Sequence, residues 1–527
     1  MARHRKWGSG RRKRKAAAPE DRLAEGIEHH RAGRLDKAAA AYEDVLAKDP
    51  RSAPAWSMKG VLALQRDRPE EAIEPLQRAT ALDDTQPGFF LNLGNALRGV
   101  GRLADAVDAY RRAIELDPQM APAHNNLGNA LRDQDSLAEA AASYQRAIDL
   151  SPDFFAAASN LAQTQATLDV LPRAELIASY ERAISIADTT DLRTTDVANA
   201  HNALGNLLQS ETRFEAAATH YRRAISIDPD FGEAHLNLGQ ALARCLKLED
   251  AIEPTRRGLE LRPDDLASYK RLALLLRRLQ RNDEATAVYQ AWHRQDPGDP
   301  IAAHMASVGG DQQPPERAAD DYVAREFDDF AEKFDQVLVD ELRYQAPALV
   351  AQALERTGLT ERRELHVLDA GCGTGLCVDF LRPLARHLVG VDLSPKMLDK
   401  ARDRGGYDEL VEAELTAYLE SHPQAFDIVV AADVVLYFGR LDALARALRS
   451  SLRPGGGVVF TVEAGTNDAR GWALGDGGRY THHPTYLRRV LEDADLQVRE
   501  LVDDRLRYEL GAEVRGWIVT ACAPEPQ

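Results

Sequence analysis

Three glycines at alternate positions, Gly371, Gly373 and Gly375, follow an apolar run that ends in an acid, Val367-Leu368-Asp369. Glycines so spaced let the main chain come close to a ligand, because no Cβ stands in the way. The next apolar run, Leu388-Val389-Gly390-Val391, ends in a second acid, Asp392. A carboxylate at the end of a second strand accepts hydrogen bonds from a ribose diol. The combination predicts an adenosyl ligand held by a glycine turn and an acid. A nicotinamide fingerprint needs glycine at positions one, three and six of the turn; here position six is Leu376. Asp369 would repel a pyrophosphate and suits the amino group or sulfonium of a cationic ligand instead. No GxxxxGK[ST] stretch is present, so a triphosphate loop is not expected.

These residues need a scaffold that brings strand ends together. Strand patterns fall at Leu365–Ala370, His387–Asp392, Leu410–Glu412, Phe426–Ala431 and Gly457–Glu463, and helical spacing alternates with them. That alternation predicts a parallel, doubly wound sheet. Ser394-Pro395 reads as a helix start, with serine as cap and proline in the first turn. Two last strands, Leu496–Asp503 and Val514–Cys522, have no helix between them, which predicts an antiparallel hairpin at the edge of a seven-stranded sheet. Upstream, Tyr322, Phe327, Phe330 and Phe334 share one helical face within Asp320–Asp335. Such a face either packs on the core or forms a lid over the site.

Residues 364–522 resemble a class I S-adenosylmethionine-dependent methyltransferase, with a Rossmann-like sheet. The resemblance rests on Asp369–Gly375, Asp392, Phe426–Asp433 and the turn Leu452-Arg453-Pro454-Gly455-Gly456, met in order. It implies S-adenosyl-L-methionine as cofactor. Asp369, Gly371, Cys372, Gly373 and Gly375 would receive its methionine part, and Asp392 and Leu393 its ribose. Met397 would touch adenine, and Glu414, before Leu415, would meet the adenine amino group, with Glu412 as the competing acid. Asp433 would stand at the active-site end of the fourth strand.

On the acceptor side the candidates are Tyr437 and the stretch Arg479-Tyr480-Thr481-His482-His483-Pro484-Thr485-Tyr486. The stretch resembles an Arg-Tyr-x-His-Ser-x-x-Tyr pattern of bacterial tetratricopeptide-fused methyltransferases, with His483 in place of the serine. His482, supported by Tyr480 and Tyr437, is the candidate base, since an imidazole titrates near neutral pH; the competing role for His482 is a helix cap. No Asn/Asp-Pro-Pro-Tyr loop and no Pro-Cys nucleophile is present.

The rest of the chain delivers rather than reacts. Gly26, Gly60, Gly94 and Gly128 recur every 34 residues, Ala162 keeps the register, and Gly205, Gly239 and Ala273 resume it. An alanine follows each by twelve residues and an aromatic often four later, as at Ala106 and Tyr110. The pattern resembles the tetratricopeptide repeat, with about eight copies over 19–299, and implies an all-helical solenoid with a concave binding face. Aromatics are expected to fill the gap between helix pairs. The fifth repeat is nine residues longer, which predicts a long loop near Ala187–Val197. Asn92, Asn126, Asn160 and Asn237 recur on first helices. An amide satisfies both donor and acceptor of a peptide backbone, so a protein or peptide partner in the groove is expected, as in the repeats of the O-linked N-acetylglucosamine transferase, which this array resembles. Asparagine at these positions also has a purely structural reading.

The expected domains are a basic disordered tail at 1–18, the array at 19–299, a capping helix and linker at 300–319, and the methyltransferase at 320–527 with N-terminal lid helices. A formal charge of −17 and a pI near 5.4 argue against bulk nucleic-acid binding; only the tail, with eight Lys or Arg and no acid, offers weak attraction. No apolar segment follows those charges, so neither a secretory leader nor a membrane span is expected. Four cysteines without a CxxC pair fit a reducing cytoplasm, and no metal site is expected. The leading expectation is methyl transfer to a protein or carrier-bound acceptor recruited by the repeats. A small-molecule O- or N-methyltransferase, with repeats used for assembly, and a non-catalytic scaffold are the alternatives.

Overall fold

The computed structural model describes residues 18–169, 171–308, 313–338, 342–358, 361, 364–466, 469–509 and 511–525. The expected basic tail lies outside them except for Ala18. The chain divides into two compact units, Met1–Leu246 and Lys247–Gln527.

The first unit is helical, from Pro19–Arg31 through Gly232–Arg244. Its repeat glycines exist because of a ring. A Cβ on Gly94 would lie 2.5 Å from Tyr110, on Gly128 2.6 Å from Tyr144, and on Gly205 2.5 Å from Tyr221. Real carbons do not approach so closely, so each tyrosine lies flat on the glycine of its own helix pair. The sequence reading put these rings between successive pairs; they fill the pair itself. Ala38, Ala72, Ala106, Ala140 and Ala217 are fully buried, which lets helices approach closely. The longer fifth repeat holds no long loop. Most of its extra residues extend the helices Arg173–Thr189 and Thr195–Ser210 to 17 and 16 residues, against 14 and 13 for the corresponding helices Leu137–Leu150 and Ala121–Asp133. Ala183, Ile184, Ala187, Val197 and Ala198 are buried, so added turns bury apolar surface where a loop would expose it.

The second unit begins with three more long helices, Leu248–Leu261, Leu266–Arg278 and Asn282–Gln295, and the short helix Pro300–Ala306. After Pro300–Ala306 come the helix Asp320–Phe330 and then a sheet of nine strands. They are β1 (Leu365–Ala370), β2 (Ala385–Asp392), β3 (Glu409–Glu412), β4 (Phe426–Ala431), β5 (Leu452–Ala464), β6 (Trp472–Leu474), β7 (Tyr480–His482), β8 (Gln497–Glu509) and β9 (Ala512–Cys522). Strands β3-β2-β1-β4-β5 run parallel in that order, β9 pairs antiparallel with β5, and β8 pairs with β9 at the edge. These are the seven expected strands, ending in the expected hairpin. The additional hairpin β6–β7 joins the far end of β5, at Glu463–Thr481 and Ala464–His482. Three-residue strands are too short to show an alternation in sequence.

Every residue of β4 is buried, as in a strand covered on both faces. Val367, Leu388, Ile428, Val459 and Ile518 share one cluster, and each buried side chain of that size contributes roughly 1.5–3 kcal/mol. The helices Asn282–Gln295 and Pro300–Ala306 meet the turn between β6 and β7 through polar contacts. Asn282 Nδ2 donates to Asp476 Oδ2 at 2.5 Å, and His304 Nε2 to the Gly478 carbonyl at 2.8 Å.

Candidate active site

The turn after β1 folds back over the end of β2. Gly371, Gly373 and Gly375 all have positive φ, at 68°, 54° and 86°, a region that side chains other than glycine rarely enter. A Cβ on Gly371 would lie 2.1 Å from Val434, so this position is closed by packing as well. Gly373 faces Phe334 at 3.8 Å from where its Cβ would stand; any side chain there would grow into the space between them. The Gly373 amide donates to Asp392 Oδ2 at 2.9 Å, and the Ser394 amide donates to Oδ1 at 2.9 Å. Burial nevertheless holds the Asp392 carboxyl above its usual pKa, against the pull of those amides.

This turn is one wall of a cavity of about 230 Å³. Of the residues expected to meet the cofactor, Gly371, Gly373, Asp392, Leu393, Glu414, Leu415 and Asp433 line it. Between the two competing acids, Glu414 lines the cavity and Glu412 does not. Glu414 caps the helix Leu415–Ser421 by accepting from the Thr416 and Ala417 amides at 2.9 and 2.8 Å, and takes Arg317 Nη1 at 2.7 Å. Burial raises its pKa, but these amides and Arg317 outweigh burial and leave it below the usual value.

Asp369, Cys372, Gly375 and Met397 do not line the cavity. Asp369 points beneath the turn, accepts from the Tyr407 hydroxyl at 2.6 Å, and is pushed up to about 7 by burial. Cys372 packs on Leu398 and Ala401, and Met397 is fully buried with its amide capped by Ser394 Oγ at 3.1 Å.

The acceptor candidates divide. Tyr437 lines the cavity. Tyr480 and His482 do not, and both are fully buried. The Tyr480 hydroxyl donates to the Pro315 carbonyl at 2.8 Å, and His482 Nε2 donates to the Gly439 carbonyl at 3.0 Å. The reason is register: β7 pairs with β5, so these side chains clamp the loop after β4 instead of facing the ligand. Burial depresses the His482 imidazole to about 4. The cap of the helix Pro484–Asp493 is His483, which accepts from the Thr485 amide at 3.3 Å.

Phe327, Phe330 and Phe334 form the opposite wall, whereas Tyr322 turns away and stacks on His304 with centroids 3.9 Å apart. The segment carrying them is fastened to the turn. Asp328 accepts from Ser394 Oγ at 2.6 Å, and Asp335 from Thr374 Oγ1 at 2.5 Å and Arg404 Nη2 at 2.5 Å. The sequence did not single out Arg507 as a site residue. It reaches the cavity from β8 and donates to Asp433 Oδ2 at 3.0 Å and to Glu463. Nothing in the sequence sets it apart, since β8 also carries Arg499 and Arg505; it differs in being one of the two buried residues of the strand.

Residues 342–501 match the family described as a methyltransferase domain. Residues 23–87, 91–153 and 246–300 match a tetratricopeptide repeat family, and 205–244 a second. The chain thus joins tetratricopeptide repeats to a methyltransferase domain. It is 34% identical over 87 residues to the 18S rRNA (guanine-N(7))-methyltransferase of Bos taurus, covering 16% of this chain and 31% of that protein. It is 35% identical over 122 residues to the malonyl-[acyl-carrier protein] O-methyltransferase of Enterobacter lignolyticus (strain SCF1), covering 23% of this chain and 46% of that protein. The chain therefore spans less than half the length of these curated relatives. The solved structure of MamA overlays 32% of this chain and 96% of its own at 25% identity, with a TM-score of 0.30. Among the described residues no helix is long and apolar enough to cross a membrane, and no group of three or more metal-ligating side chains is found.

Proposed function

We propose that the chain is an S-adenosyl-L-methionine-dependent methyltransferase of the cytoplasm, whose repeats recruit a protein or carrier-bound acceptor. One observation carries the reading: Asp392 and the glycine turn, joined by the Gly373 amide at 2.9 Å, face the same cavity as Asp433 and Tyr437. The residues fit this cofactor. Asp392 has the placement to take a ribose diol, Gly373 leaves room where a side chain would intrude, and Glu414 and Leu415 offer an acid and an apolar contact for adenine. When bound, the cofactor supplies a methyl group already activated on a sulfonium. The chain's own residues then orient the acceptor, and Phe327, Phe330 and Phe334 keep water out. Calorimetry with S-adenosyl-L-methionine tests the assignment, and absence of binding would defeat it.

The asparagine ladder supports the recruiting role. Asn126 Nδ2 donates to Asn95 at 2.9 Å, Asn160 Nδ2 to Asn125 and Asn129 at 3.1 Å, and Asn237 Nδ2 to Asn202 and Asn206 at 3.1 and 3.0 Å. Each amide is thereby oriented before any partner arrives, with further donor and acceptor capacity remaining. With Asn92 these residues are the proposed peptide-binding row. The size of the cavity, about 230 Å³, favours a second reading in which the acceptor is a small molecule and the repeats serve assembly. Labelled cofactor incubated with host extract separates the two by the fraction, protein or small molecule, that takes the label.

A further inference from the structure

The methyltransferase reading leaves two arginines unexplained. Arg507 is 5% exposed and Arg479 23% exposed at the side chain, and both line the cavity beside Tyr437. Burying guanidinium groups is costly and adds little stability that apolar residues would not supply. Glu463 holds them together: Arg479 Nε donates to its Oε1 at 2.8 Å, and Arg507 Nη2 donates to the same oxygen. Arg507 Nη1 takes Asp433 at 3.0 Å, and Arg479 Nη2 takes Glu509. Each guanidinium has five N–H donors, and these contacts use two on each. Both arginines line a cavity that also holds aromatic rings and the acids Asp320, Glu326, Asp392, Glu414 and Asp433. A planar fork of N–H groups matches a carboxylate better than any other common acceptor group.

A second observation points the same way. No histidine lines the cavity, and burial holds the Tyr344 and Tyr437 hydroxyls well above their usual pKa. An amine or hydroxyl acceptor has a proton to lose and needs a base; of the lining acids, Asp433 is held by Arg507 and Glu414 and Asp320 by Arg317, so that base would have to be Glu326. A carboxylate, with a pKa near 4, is already ionised at neutral pH.

We propose that the acceptor methylated by this chain is a carboxylate, seated on Arg479 and Arg507, and that the product is a methyl ester. The proposal rests on the methyltransferase reading above. A carboxylate oxygen forms the new bond to the methyl carbon, the carbon–sulfur bond breaks with its electron pair left on sulfur, and no proton moves. Counted with Glu509 and its second partner Arg277, the seat is neutral when empty, three arginines against Asp433, Glu463 and Glu509. An anionic acceptor gains from the free donors, and the neutral ester that replaces it binds less tightly, which favours release.

The test uses the full chain, methyl-tritiated S-adenosyl-L-methionine and host extract as the source of acceptors. The expected result is transferred label that is released as volatile methanol on raising the pH, as esters release it. Label that resists base would overturn the carboxylate and leave the methyltransferase standing. Bound cofactor with no label in any fraction would defeat both readings. Arg479→Lys and Arg479→Gln are compared by calorimetry with the cofactor, which also reports that each variant is folded. Lysine keeps the charge and loses the fork, so acceptor kcat/KM should fall about tenfold or more in both variants while cofactor Kd stays within about twofold. A matching loss of cofactor affinity would instead assign the arginines to the cofactor's own carboxylate and overturn the proposal.

Discussion

Arg277 Nη2, on a repeat helix, lies 3.6 Å from Glu509 Oε1 on the last hairpin, and the other oxygen of Glu509 holds Arg479 at the cavity wall. A side chain of the repeats thus supports the arginine that faces the ligand, so the end of the array is part of the site's foundation. Arg277→Ala is expected to raise the acceptor KM about three- to tenfold, the range for a partly exposed ion pair, with cofactor Kd unchanged. Steady-state kinetics beside calorimetry decide it, and an unchanged acceptor KM would show that Arg479 stands without help.

The glycine turn separates packing from ligand space. Gly371→Ala places a carbon 2.1 Å from Val434 at a φ of 68°, so the variant should lose several kcal/mol of stability. Gly373→Ala meets only the left-handed backbone cost of roughly 1–2 kcal/mol, since Phe334 lies 3.8 Å away. It should fold and bind the cofactor at least tenfold more weakly. Thermal melts and calorimetry on the pair would expose the opposite order if the turn did not face the ligand.

Asp369 sets a pH dependence of known sign. Its folded pKa of about 7 exceeds the ordinary value of 3.8. The folded chain therefore holds a proton that the unfolded chain has released, and stability from this group is lost as pH rises from about 4 to 7. Asp369→Asn keeps an acceptor for the Tyr407 hydroxyl and removes the buried charge. Its melting temperature should exceed that of the parent at pH 8, by about 2–4 kcal/mol of stability at most, and the gap should close toward pH 4.

His482 acts with the opposite sign. A folded pKa of about 4 against 6.5 means that the unfolded chain binds the extra proton, so stability falls as pH drops from 6.5 toward 4. His482→Gln retains a donor for the Gly439 carbonyl and should flatten that loss. The same variant should leave the pH profile of turnover unshifted, because the imidazole does not reach the cavity. A shifted profile would restore His482 as a base.

The asparagine row is tested by replacing Asn92, Asn126 and Asn160 with alanine together. Retained binding of an extended peptide library at parental affinity would confine these amides to a structural role. The expected outcome is a loss of at least tenfold with the melting temperature little changed, because all three amides are only partly buried.

The sequence by itself determined the periodicities. A 34-residue recurrence of glycine and tyrosine can only be a stack of helix pairs, because Tyr110 needs the missing Cβ of Gly94. Alternating strand and helix patterns around Gly371–Gly375 and Asp392 determined the doubly wound sheet and the cofactor end, since those residues lie within one β-turn-α-β stretch. Only tertiary structure decided the acceptor end. Arg507 comes from β8, Arg479 from the loop before β7, Tyr437 from the turn after β4 and Phe334 from the entry segment, residues separated by up to 173 positions. No local pattern encodes such a meeting, and a three-residue strand turned His482 inward by pairing alone. The glycine turn pointed to an adenosyl ligand, and the fold chose which side chains share its cavity.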